Sequence, residues 1–363
     1  LPYYSDQVIT TSRNTAPTEY LRQGLPVPVA PIGETAAQLS TGSPKAWDRN
    51  LEPDLIASWS LGVQRQLTNS IMLDVSYLGT MGDRLILEDN INQAVPGPGA
   101  VAPREPYHTI NPNLVDVDYY SGKGQSKYES LQIHLEKRYS NDLTFGASYT
   151  YSEYLSDSGD PNGGGNSNYQ NDYCIACNWG PESDDYKHVL VVNQVYNLPF
   201  GRNERYLQKG IASMLLGGWQ FNGIWSVRSG ARFTPFLSAN VSNQSDGGKQ
   251  RPNAIGSGML PQSQRTLEHW FNTAAFVAPP QYTYGNAGTG MLTGPGSFDA
   301  ALGLFRSFQI THGSALTFRS EWFNAFNRPN FDPPDATIGT PEAGVISSGG
   351  GGRVIQLAMK YVF

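Results

Sequence analysis

Apolar and polar residues alternate one by one in short runs along this chain, and stretches without any period separate the runs. "ASWSLGVQRQ" sets Trp59, Leu61 and Val63 on one face and Ser58, Ser60, Gly62 and Gln64 on the other. A period of two marks a strand whose two faces meet different surroundings. After "LTNS", which reads as a hairpin turn, "IMLDVSYLG" sets Ile71, Leu73, Val75 and Tyr77 against Asp74 and Ser76. "LQIHLEKRY" opposes Leu131, Ile133 and Leu135 to Gln132, His134 and Glu136. "LTFGASYTYS" opposes Leu143, Phe145, Ala147, Tyr149 and Tyr151 to Thr144, Gly146, Ser148, Thr150 and Ser152. "HVLVVNQVYN" follows, and then "WQFNGIWSVR", with Trp219, Phe221, Trp225 and Val227 facing away from Gln220, Asn222, Ser226 and Arg228. "DAALGLFRSF", "LTFRSEWFN" and the terminal "VIQLAMKYVF" complete nine predicted strands. In the last, Ile355, Leu357, Met359, Tyr361 and Phe363 alternate with Gln356, Ala358, Lys360 and Val362.

The connections divide into two kinds. "LTNS", "SNDL" and "QITHGSA" are short, while loops over about 79–126, 153–187, 229–298 and 325–352 are long. "LPFGRNERYLQKGIASMLLGG" is a linker of middling length, and residues 1–54, rich in Pro, Thr, Gly and Asn, read as loop. Short and long connections in turn are the rhythm of a transmembrane antiparallel up-and-down β-barrel, because every backbone group within a membrane must be paired. A soluble sandwich or propeller also alternates, but does not segregate its connections so regularly. The expected fold is all-β, with the apolar sets, carrying Trp and Tyr near strand ends, toward lipid and the polar sets toward a lumen. If the long loops lie outside, residues 1–54 lie outside as well, and nine crossings bring Phe363 to the periplasmic rim. Nine is odd and single-chain bacterial barrels are even, so residues 55–363 are expected to be the C-terminal part of a larger barrel.

Composition agrees with this class. Charged residues make up 15%, against roughly 25% in soluble domains, and there are 20 Tyr, 7 Trp, 15 Phe and 39 Gly. The net charge of −6 leaves no footprint for nucleic acid. No apolar run approaches the ~18 residues of a spanning helix. The opening "LPYYSDQVITTSRN" has neither the charged nor the apolar region of a signal peptide, as expected of a mature chain or an internal fragment.

Candidate chemistry is sparse. The two cysteines, Cys174 and Cys177 in "DYCIACNWG", could form a redox pair, half a zinc site or a disulfide. Zinc needs two further ligands, and the nearest histidine, His188, lies across a strand boundary. A redox site wants a helix N-terminus that the sequence does not suggest, so a loop-stapling disulfide in an oxidising compartment is expected. His108, His134, His188, His269 and His312 form no sequence pair for a metal, and the acidic run "ESDDY" at 182–186 reads as a solvated loop. "GTGMLTGPG" lacks the strand–helix setting of a phosphate loop. No G-x-S-x-G or H-E-x-x-H occurs. Neither an enzyme nor a cofactor or metal site is expected.

Several blocks resemble one family. "LIASWSLGVQRQL", "KYESLQIHLEKRYSNDLTFGASYTYSEYLSDS", "YNLPFGRNERYL" with "LLGGWQFNGIWSVRSGARFTP", "RTLEHWFNTAAF" with "YGNAGTGMLTGPG", and "LTFRSEWFNAFNRPNF" are similar, in this order, to the C-terminal barrel of Oar-like TonB-dependent outer-membrane receptors of the acidobacterial type. The similarity spans most of residues 40–363. It implies a barrel of about 22 strands, of which these would be the last nine, in the outer membrane of a Gram-negative bacterium with the long loops extracellular. It further implies an N-terminal plug, which these residues do not contain, drawn by the TonB complex during uptake of an unidentified small ligand. Tyr361 and the terminal Phe363 resemble the signal read by the barrel-assembly machinery. The competing expectation is a structural or adhesive surface protein without transport.

Overall fold

The computed structural model describes residues 45–363 except 113, 141, 159–168, 203, 245–249 and 312. Most of the expected 1–54 loop region therefore lies outside the described residues. Nine long strands pair in one sheet: β1 (Leu55–Thr68), β2 (Ile71–Asn90), β3 (Asp118–Ser140), β4 (Leu143–Ser156), β5 (His188–Asn197), β6 (Trp219–Arg228), β7 (Ser297–Thr311), β8 (Ser314–Phe323) and β9 (Val354–Val362). Each long strand pairs antiparallel with its neighbour in sequence, and among the described residues the outer edges of β1 and β9 carry no long partner. The short segment Lys45–Trp47 adds to β3 in parallel, with Trp47 stacked on Tyr120 at 4.5 Å.

The register carries the alternation across the whole sheet. Residues directly opposite one another in an antiparallel pair share a face. One row reads Val63, Val75, Ile133, Tyr149, Leu190, Val227 and Phe298. The adjacent row, on the other face, reads Gln64, Asp74, His134, Ser148, Val191, Ser226 and Asp299. On the last strands Leu304, Ser320 and Leu357 align, as do Arg306, Phe318 and Met359. A slip of one residue would exchange the faces, so the continuity of the apolar rows fixes the pairing. The polar face departs from its expected composition at β5 and β6, where Val189, Val191, Val195 and Ile224 fall among the polar set.

At one end of the sheet, three hairpins close alike. Register shifts before Thr68, Ser140 and Thr311, and two residues then separate each from its partner, Ile71, Leu143 or Ser314. The linker at this end is not featureless: it contains the helix α1 (Gly210–Leu216). All long connections lie at the other end, and the first two are shorter than the alternation predicts. β2 and β3 run to 20 and 23 residues, about twice the ~9–11 of a tilted membrane-crossing strand. The loop expected over 79–126 thus shrinks to 91–117. A bulge between Gly82 and Leu85, with Arg84 at φ 57°, marks where the strands leave the regular ladder.

The clustered apolar core lies among the long connections, while the long strands bury few apolar residues, Leu87, Tyr120 and Ala300 among them. Leu237, Phe271, Ala275, Phe276, Ala287, Leu292 and Ile338 pack together, drawn from residues 229–296 and 324–353. Two-residue strands frame them: Arg232–Phe233 with Leu292–Thr293, Asn253–Ala254 with Phe276–Val277, and Phe236–Leu237 with Thr337–Ile338.

Candidate functional site

This cap of interlocked connections is where the chain concentrates buried polar side chains. The segments after β2, β4 and β6 are tied by amide groups. The Asp172 N–H donates to Gln93 Oε1 at 2.9 Å, and the Tyr173 hydroxyl donates to the Gln93 carbonyl at 2.7 Å. Gln170 Nε2 donates to the Gly285 carbonyl at 2.9 Å, while Gln244 Nε2 donates to the Gln170 carbonyl at 2.8 Å. Asn243 Nδ2 reaches the carbonyls of Gly97 and Gly99 at 2.8 and 2.9 Å. Buried amides need both donors and acceptors met, so each such tie fixes two segments at once.

Arg251 sits at the centre of these ties, only 4% exposed. Its backbone N–H donates to Gln170 Oε1 at 3.1 Å, Nη1 to Thr289 Oγ1 at 2.8 Å, and Nη2 to the Cys177 carbonyl at 3.0 Å and Asn178 Oδ1 at 3.3 Å. All its acceptors are neutral, and Nε has no partner among the described residues. Burial lowers the guanidinium's affinity for its proton. Cys174 and Cys177 are joined in a disulfide with Cα atoms 5.3 Å apart, across the short 3₁₀ turn Ile175–Asn178. That turn presents the carbonyl and amide oxygens that Arg251 uses.

Glycines let the backbones approach. A Cβ on Gly285 would fall on the backbone of Arg251 and Pro252, and one on Gly290, at φ +60°, on the Pro181 carbonyl. The glycine-rich block dismissed as a phosphate loop is thus the strip along which the segments after β4 and β6 touch. The acidic run is not fully solvated either. Asp185 is buried, accepts the Tyr154 N–H at 3.0 Å and pairs with Arg232 Nε at 3.1 Å. Burial raises Glu182 above the ordinary carboxylate range, and burial raises Asp157 likewise. The Tyr284 hydroxyl donates to Gln244 Oε1 at 2.7 Å and is pushed up to about 12, chiefly by burial and then by Asp172 and Tyr173.

The histidines are dispersed. His134 Nδ1 meets Ser148 Oγ at 2.9 Å on the polar face, and His188 Nδ1 meets the Tyr149 hydroxyl at 2.8 Å. His108 and His269 lie in separate segments of the cap, and His312 falls outside the described residues. Among the described residues no group of three or more His, Cys, Asp or Glu is placed to hold a metal ion. Tyr361 pairs opposite Leu316, and its ring stacks on that of Phe363 at 6.0 Å. Sequence reasoning missed Arg251 and its glutamines because their partners lie 38 to 115 residues away. The one local signal was the run of glycines. The hydrogen bonds of this arrangement hold the cap segments to one another.

Three comparisons bear on this geometry. The model of a family described as "Outer membrane beta barrel domain" matches residues 1–356. Among solved structures, the outer membrane transporter YddB from Escherichia coli aligns with a TM-score of 0.52 at 10% identity, over 89% of this chain and 34% of that one. The pyoverdine outer membrane receptor FpvA from Pseudomonas aeruginosa aligns with a TM-score of 0.44 at 11% identity, over 86% of this chain and 30% of that one. The chain thus spans about a third of the length of these structures. No curated protein matches it.

Proposed function

The chain belongs to the outer membrane beta barrel domain family, and from that premise we propose that it is the C-terminal wall and outer cap of a TonB-dependent receptor and transporter of the Oar-like, acidobacterial type. The observation that carries this reading is the mainly apolar face shared by nine register-matched strands, with the laced cap at one end only. Here the nine strands are the last of about 22, the cap is extracellular, and the short turns are periplasmic. The polar face lines the lumen, against which a plug supplied by the rest of the protein would rest. The cap forms one side of the vestibule for a small ligand, and the TonB complex moves the plug. The barrel-assembly machinery reads Tyr361 and Phe363 as the seam closes.

Cysteine labelling on intact cells tests the orientation. Ser257→Cys in the cap should react with an impermeant maleimide, and Gly313→Cys in a short turn only after the outer membrane is permeabilised. The reverse pattern would refute the orientation. An intact mass near 39.7 kDa for the protein extracted from outer membranes would remove the transporter part and favour a surface protein that binds without transport.

A further inference from the structure

Helix α1, between β5 and β6, is fastened in an unusual way. Its last carbonyls are taken by side chains of the sheet: Trp219 Nε1 donates to the Leu215 carbonyl at 3.0 Å, Arg306 Nη1 to the same oxygen at 2.6 Å, and Arg306 Nη2 to the Met214 carbonyl. Trp219 and Arg306 are cross-strand partners. They lie in register with Phe318 and Met359 and two residues along from the Phe221–Leu304 pair, which places them on the apolar face. Arg306 also lies over the Trp219 and Phe308 rings. A cation at a helix C-terminus satisfies orphan carbonyls and the macrodipole together. The helix is therefore held against the apolar side of the sheet at the short-turn end.

What it presents is apolar. Ile211 is 76% exposed and Met214 75%, and Leu215 and Leu216 are also exposed. Immediately before the helix come Arg202, Arg205 and Lys209 against one acid, Glu204, with Tyr206 and Leu207 among them. A short helix with exposed large apolar side chains and a basic border is the composition of an element that lies in a membrane interface. Its C-terminal turn, which carries Met214 and Leu215, is tied to the apolar face of β6 and β7.

We propose that α1 is an interfacial anchor. Its apolar side chains seat in the acyl region of the periplasmic leaflet, and Arg205 and Lys209 meet phospholipid phosphates at its rim. This rests on the outer-membrane reading above and adds a specific lipid contact to it. The partner is a phospholipid surface and not a soluble protein, because the side chains that fasten the helix belong to the face that lipid already covers.

The test uses the complete protein folded into vesicles of phosphatidylethanolamine and phosphatidylglycerol. The environment-sensitive fluorophore bimane is attached through Met214→Cys, or through Ile211→Cys should the first variant fail to fold. Controls carry it through Leu357→Cys on the apolar face and Thr150→Cys on the polar face. The expected result is quenching at 214 by nitroxide-bearing lipid and loss of quenching by aqueous iodide, as at 357 and unlike 150. Arg205→Gln with Lys209→Gln should weaken the lipid quenching only where phosphatidylglycerol is present. Lipid quenching at 357 with iodide quenching alone at 214, as for a face kept for a soluble partner, would overturn the anchor and leave the barrel standing. Absence of lipid quenching at 357 would overturn both.

Discussion

Phe271 in the cap is 1% exposed and Leu292 fully buried, while Leu61 and Met359 on the apolar face of the sheet are 73% and 72% exposed. Arg251, a cation, is buried deeper than almost any apolar side chain of the nine strands. The two regions obey the same physics against different solvents. In the cap, apolar surface leaves water by packing on itself, and most buried polar groups find partners. In the wall, the backbone is satisfied by the ladder, and in the barrel proposed above the apolar side chains need no protein partner because lipid provides one. Two-residue strands suffice in the cap because side-chain packing holds them. The wall needs long unbroken ladders because it has no packed core.

The contrast can be broken most severely in the cap. Phe271→Ala should remove about 3–5 kcal/mol from it, since Phe233 and Phe276 pack on that ring. Proteolysis of residues 229–296 in outer-membrane preparations should rise sharply, while the wall keeps its heat-dependent mobility shift on gels. Joint loss of both would show that cap and wall do not fold separately. Next in size, Leu357→Arg on the apolar face should cost about 2–4 kcal/mol of denaturant stability in lipid vesicles. Gln356→Arg, one residue away and opposite Glu321, should cost almost nothing. Equal losses at 356 and 357 would contradict the assignment of faces.

A smaller effect separates polar burial from apolar burial within the cap. Arg251→Gln leaves the Cys177 carbonyl, Asn178 and Thr289 short of donors, which should cost about 1–3 kcal/mol. Amide hydrogen exchange should quicken at residues 170–178 and 285–290 and stay unchanged in β1–β4. Unchanged exchange at 170–178 would mean that Arg251 does not hold these segments together.

How much of this was legible in the sequence follows from the same contrast. Alternation is written only where two faces meet two solvents, so the nine strands could be read wherever they lie in the wall. Above the bulge at Gly82–Leu85, "LILEDN" and "DYYSGKGQ" stay in strands with no alternation, because there both faces are covered: Asp89 and Asn90 are buried side by side, as are Tyr120 and Ser121. The sequence therefore read as loop. Helix α1, with seven residues, spans two turns and is too short for a helical period to stand out. Ties such as Gln170 to Gly285, 115 residues apart, leave no local pattern at all. Of the candidate residues, the cysteine pair was visible by its spacing, whereas Arg251 became visible only once three segments had been folded around it.

The smallest effect concerns Tyr284, which also joins cap segments by a single bond. At neutral pH Tyr284→Phe should cost only about 0.5–1.5 kcal/mol, the net worth of its hydrogen bond to Gln244. Its hydroxyl sits at about 12 in the folded cap against an ordinary 10.0. A raised folded value means that the folded cap holds the proton more tightly than the unfolded chain. The stabilisation is therefore complete below pH 10 and is lost as pH rises toward 12. Subtracting the tyrosinate absorbance titration of Tyr284→Phe from that of the native protein should leave a single late component near 12. A difference component near 10 would mean that this tyrosine faces water, and the cap at that point would be built more like an open loop than like a core.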